Sequence, residues 1–110
     1  MRESYTAVIE RNVTWQGDFA SEPYECAWSG EAIFFVRTLS AEGNDAPATA
    51  RVQLSPDGIR WVDEGTSLSI SAEPGLSFCR VTHYGGWLRI AGAIPPGQSV
   101  RMILYLCLKE

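Results

Sequence analysis

The single histidine, His83, is the first residue to weigh for chemistry, since proton-transfer sites most often rest on an imidazole. It stands in Val81-Thr82-His83-Tyr84-Gly85-Gly86, where a strand is expected to run into a turn. A hydrolytic triad needs that base held between a nucleophile and an acid. No G-x-S-x-G, G-x-x-x-x-G-K or G-x-G-x-x-G sequence supplies the rest of such a site, and the surroundings predict an exposed or tyrosine-stacked ring. Asp57, Asp63 and Glu64 are the nearest approach to a glycosidase pair, which needs two carboxylates about 5 to 10 Å apart across a cleft. Asp57 is accounted for by its turn and the other two close a strand, so no catalytic residue is expected. Cys26, Cys79 and Cys107 are widely spaced, with no C-x-x-C and one histidine to join them. A zinc site needs four such ligands, usually with two in a close pair, so neither a metal nor a cofactor is expected. Each cysteine has apolar neighbours and reads as a small buried hydrophobe.

Non-covalent chemistry offers more. Eight of the nine cations are arginine: Arg2, Arg11, Arg37, Arg51, Arg60, Arg80, Arg89 and Arg101. Interface cores enrich arginine and aromatic side chains and deplete lysine, although a coding bias toward arginine would give the same count. Phe35, Arg37, Arg80, Arg89, Ile103 and Tyr105 are therefore the candidate contact residues, with a second copy of the chain or another protein subunit as partner. An alternative, less favoured, is carbohydrate binding. Sugar rings stack on exposed aromatic faces beside planar polar groups, and Trp28, Tyr84, Trp87 and Arg89 lie where strands meet glycine-marked turns. Trp61, just beyond a tight turn, is expected to plug the sheet.

The elements that position these residues are strands almost throughout. Gly and Pro recur from Gly17 to Gly97 so often that few stretches exceed about 12 residues, leaving little room for helices. Between them lie segments rich in Val, Ile, Thr, Phe, Tyr and Trp. Alternation places strands at Tyr5 to Trp15, long or bulged, Ala32 to Leu39, Ala48 to Leu54, Ile59 to Asp63, Ser67 to Ser71, Leu76 to His83, Trp87 to Ala91 and Ser99 to Leu108. In Ser55-Pro56-Asp57-Gly58 proline presets the first corner of a turn and glycine accepts the positive dihedral that follows.

About eight short strands at even spacing predict an all-β fold, an antiparallel two-sheet sandwich of jelly-roll type, with an immunoglobulin-like Greek key as the alternative. The chain's 110 residues show no composition break, so residues 1–110 read as a single sandwich domain. Two strands are apolar on both faces: Ile33, Phe35 and Leu39 oppose Ala32, Phe34 and Val36, and Ile103, Tyr105 and Cys107 oppose Leu104, Leu106 and Leu108. A sandwich of this length has no third layer to cover an outer face. Such patches mark association surfaces, and a symmetric homo-oligomer is the simplest cover.

The run Val52-Gln53-Leu54-Ser55-Pro56-Asp57-Gly58-Ile59-Arg60-Trp61-Val62-Asp63, followed by Gly86-Trp87-Leu88-Arg89-Ile90, resembles the S-x-D-G-x-x-W hairpin and W-L-R-I strand of galactose-binding-like, discoidin-type jelly rolls. Similar hairpins occur in small sandwich proteins of phage particles. The resemblance covers about a third of the chain and implies the jelly-roll fold. The chain is shorter than the discoidin type and lacks its terminal cysteine bridge.

Charge and hydropathy set the remaining bounds. A composition 45% hydrophobic and 20% charged is too apolar for disorder. A net charge of -4, with cations spread singly, argues against a nucleic-acid partner. The longest apolar run, Ala32 to Val36, is far short of the roughly 20 residues of a membrane helix. Met1-Arg2-Glu3-Ser4-Tyr5 carries no apolar signal core, which predicts no signal peptide and a cytoplasmic product or one held in an assembled particle.

Overall fold

The computed structural model describes residues 4–43 and 47–110, and none of these is helical. Nine strands form two antiparallel sheets: β1 (Ser4–Trp15), β2 (Asp18–Ala20), β3 (Tyr24–Glu25), β4 (Glu31–Glu42), β5 (Ala48–Ser55), β6 (Val62–Ile70), β7 (Gly75–Thr82), β8 (Trp87–Ala93) and β9 (Ser99–Lys109). The four-stranded sheet runs β1-β9-β4-β7 and the five-stranded sheet runs β2-β8-β5-β6, with β3 also paired to β8. Around the turn between β5 and β6 the strands pair outward in nested fashion, β5 with β6, β4 with β7, β2 and β3 with β8, and β1 with β9. A ribbon nested in this way and rolled on itself is the jelly roll.

Period-two patterning drives the closure. Val100, Met102, Leu104, Leu106 and Leu108 of β9 are at most 1% exposed and meet Phe34, Val36, Val52, Leu88 and Ile90 in the core between the sheets. Trp15 stacks on Phe19 with ring centroids 4.1 Å apart, which seats the short β2 against β8. Bulges interrupt β1 between Val8 and Glu10 and between Glu10 and Val13, with Asn12 left-handed at φ 56°. The alternation in β1 breaks at the same place in the sequence.

The expected two-sheet antiparallel sandwich of about eight strands forms, and the count reaches nine because β2 and β3, three and two residues long, are too short to show a period. One sequence expectation needs correction. The expected strands at Ile59 to Asp63 and Ser67 to Ser71 are instead one strand, β6, that begins only at Val62. The Asp57 carboxylate is the reason for the late start. It accepts the backbone N–H groups of Ile59 and Arg60, both at 2.9 Å, and these donors are then lost to any ladder. Ser55 Oγ accepts Gly58 N–H at 2.8 Å, and Gly58 sits at φ 79° as the turn chemistry requires.

Those backbone donors hold the Asp57 carboxyl down at about 2, with help from Ser55 and the Arg60 guanidinium. A carboxyl whose folded value lies below its unfolded value of about 3.9 contributes stability that is complete above that value and is lost as pH falls toward about 2. Denaturation midpoints recorded between pH 5 and pH 2 are expected to fall less steeply for Asp57→Asn than for the unmodified chain. Parallel curves would remove the turn carboxylate from the acid response.

Candidate functional site

Three exposed large hydrophobic residues, Val8, Leu76 and Phe78, lie on the outer face of the four-stranded sheet. Ala32, Phe34 and Val36 of β4 point into the core, so Glu31, Ile33, Phe35 and Arg37 point out. On β9 the outward set is Arg101, Ile103, Tyr105, Cys107 and Lys109. The register aligns these residues in rows across four strands. Val8, Tyr105, Phe35 and Phe78 form one row, with Thr6, Cys107, Ile33 and Arg80 beside it on one side. Ile103, Arg37 and Leu76 lie beside it on the other.

The central row is aromatic and open to water. Phe35 and Phe78 rings lie 6.0 Å apart, and the Arg80 guanidinium sits 5.0 Å above the Phe78 ring. Leu76 is 62% exposed, Phe78 51% and Val8 40%, while Ile33, Phe35, Ile103 and Tyr105 are half-buried among their neighbours on the same face. Beyond this strip lie Glu31, paired in register with Lys109, at one end and Arg101 at the other. A shallow depression of ≈ 300 Å³ opens at the first end between Glu31, Ile33, Arg80, Cys107 and Lys109.

Five of the six sequence-predicted contact residues, Phe35, Arg37, Arg80, Ile103 and Tyr105, thus share one face. Arg89 does not. It follows Leu88, buried in the core, on β8 and faces out from the other sheet. There its guanidinium lies 4.3 Å over the Trp61 ring and its Nε donates to Gln53 Oε1 at 2.8 Å. Gln53 Nε2 in turn donates to Asp63 Oδ1 at 2.9 Å, which also accepts Arg51 Nε at 3.1 Å. Burial and the nearby Arg51 lower the Arg89 value, while the Gln53 and Arg51 donors lower that of the Asp63 carboxyl. Trp61 therefore covers the outside of the five-stranded sheet rather than plugging its inside.

The proposed sugar platform is divided between two places. Trp87 and Arg89 lie on the outer face of the five-stranded sheet, with the Trp87 ring packed so closely on Gly58 that a side chain there would touch it. Trp28 and Tyr84 lie in loops at the end of the sandwich, where Ser29 Oγ and Tyr84 Oη share a hydrogen bond of 2.7 Å. Trp28 is 42% exposed. His83 is exposed and left-handed at φ 56°. Among the described residues no group of histidine, cysteine and acidic side chains could hold a metal ion. Arg2 falls outside the described residues.

The cysteines are all free. Burial pushes the Cys26 thiol up to about 12 and the Cys79 thiol up to about 11. Cys107 departs from the buried expectation, for it lies half-buried on the outer face and accepts the Thr6 hydroxyl at 3.5 Å. Val8, Leu76 and Phe78 were not among the candidates. Val8 alternates with Ala7 and Ile9, and Phe78 precedes Cys79, so phase alone could have placed them outside.

No family model matches the chain, and no curated protein matches it. Solved structures do. The PBSX exported protein XepA superposes at a TM-score of 0.68 with 11% identity, over 94% of this chain and 36% of that one, so this chain spans about a third of XepA's length. The SPBc2 prophage-derived protein YomS gives 0.59 with 6% identity, over 100% and 96%. The CBM36-1 domain of a multidomain xylanase from the hindgut metagenome of Trinervitermes trinervoides gives 0.52 with 12% identity, over 94% and 96%. At such identities the likeness is one of fold alone, a two-sheet jelly-roll sandwich.

Proposed function

We propose that this chain is a non-catalytic subunit that acts by contact, associating with itself through the outer face of the four-stranded sheet within a phage-like or other bacterial assembly. The observation that carries this reading is the Val8–Tyr105–Phe35–Phe78 row, an aromatic strip in the middle of a sheet face with arginines at its sides. Exposed apolar surface of this kind is removed from water by association at roughly 25 cal/mol per Å². The size is suitable as well. Four strands at about 4.8 Å and about eight residues at about 3.3 Å give roughly 500 Å² in plan before side-chain relief is added, a little under the about 600 Å² per partner at which specific interfaces begin. One of the solved structures of this fold, YomS, is prophage-derived by name, which supports the setting.

Phe78→Glu is expected to lower the solution mass to that of one chain at concentrations where the unmodified protein associates. Thr49→Glu, an exposed site on β5 of the other sheet, is expected to leave it unchanged. If Phe78→Glu leaves the associated mass intact, the face is not the contact.

A second reading, carbohydrate binding, draws on one observation. Trp28 is exposed and is followed in the chain by Ser29, whose hydroxyl is hydrogen-bonded to that of Tyr84, so an aromatic side chain and polar groups come from one loop region. Retardation in a polysaccharide-containing gel that disappears on Trp28→Ala would support it. Unretarded migration across xylan, glucan and galactan gels would count against it.

A further inference from the structure

We infer that the partner on this face is a second copy of the chain, laid across it by a two-fold axis that runs along the strands, so that β4 of each copy covers β9 of the other. This rests on the docking role proposed above and adds its geometry. Two symmetric ways of stacking the face on itself keep the aromatic row at the centre, and the charges at the ends of the strip choose between them.

If the axis runs across the strands, each strand covers its own copy in reverse. Arg101 of β9 then meets Lys109 of the partner, twice over. Like charges brought together at a drying interface are costly. If the axis runs along the strands, the first and last strands exchange and so do the two central ones. Tyr105 then meets Phe35 of the other copy, Cys107 meets Ile33, Val8 meets Phe78 and Ile103 meets Arg37. Glu31 meets Lys109, also twice over. Both are exposed at the strip's end, and among the described residues neither has an ion-pair partner within its own chain. Their side chains are long enough to close the offset that sheet twist introduces between facing layers.

The depression between Glu31, Arg80 and Lys109 lies at the same end, next to the incoming ammonium group. No pairing in this arrangement sets like charges opposite each other.

Mixing two single variants tests the arrangement. Glu31→Lys alone and Lys109→Glu alone are each expected to weaken self-association at least tenfold. Mixed in equal amounts, one copy brings two positive groups and the other two negative ones, and the paired mass is expected to return. Within each variant chain the two neighbouring groups repel, so recovery in the mixture cannot come from a repaired intrachain contact. Circular dichroism of each variant checks the fold beforehand.

Cys107 offers a second reading of the same geometry, being the one cysteine on the outer face. With the axis along the strands, the two Cys107 residues lie one strand apart across layers about 10 Å apart. A short bis-maleimide is therefore expected to link two copies, and Cys107→Ser is expected to abolish the link. Wild-type association with neither recovery in the mixture nor a Cys107 link would overturn this arrangement and leave the docking face standing. A wild-type chain that stays single at every concentration would overturn both.

Discussion

Phe34→Ala is expected to lower folding stability by about 3–5 kcal/mol, the usual cost of emptying a large buried site. The same change at Phe35, the next residue of β4, is expected to cost about 1 kcal/mol and to weaken self-association at least tenfold. The two rings are alike in size and share a strand, and only the face differs. Phe34 is 0% exposed among the core side chains, whereas Phe35 shares the outer row with Phe78 and Tyr105. Urea midpoints and sedimentation on the two variants separate the effects. Equal loss of stability in both would mean that the outer ring is part of the monomer's own packing, and the docking face would lose its centre.

Gly86→Ala is expected to cost about 2–4 kcal/mol, out of proportion to one methyl group. Gly86 lies at φ 76°, where an L side chain is strained, and an added Cβ would overlap the backbone carbonyl of Ser55. Its own carbonyl accepts Cys26 N–H at 2.8 Å. A shift there would disturb the end of β5 and the loop that carries Trp28 together. Gly30→Ala, at an ordinary φ with open space around it, is the control and is expected to stay within about 0.5 kcal/mol. Similar melting temperatures for the two variants would show that the close approach at Gly86 relaxes freely.

Much of this was legible in the sequence because strands announce themselves by period two. The alternation in Ser99 to Leu108 separated core from outer positions, and the double-sided apolarity at Ala32 to Leu39 and at Ile103 to Leu108 located the two central strands of the open face. What stayed hidden had specific causes. Phe19 anchors a strand of three residues, too short for any period, and is recognisable only once Trp15 stacks on it. The Asp57 carboxylate captured two backbone donors and delayed β6, a competition between side chain and ladder that composition does not reveal. Arg89 and Trp61 were separated by the sequence into contact residue and core plug, yet they stack on each other outside the five-stranded sheet. A cation is able to hold an indole at the surface, and hydrophobicity alone would have buried it.

The outer residues were found by the same alternation, but only register shows that Val8, Tyr105, Phe35 and Phe78 form one row. Those four belong to strands far apart in the chain, brought side by side by the nested pairing.

Sedimentation equilibrium on the unmodified chain, across roughly a hundredfold range of concentration, tests the docking role most directly. A mass that rises from 12.1 kDa to twice that value, or to a larger even multiple, is expected. A mass that stays at 12.1 kDa throughout would contradict it.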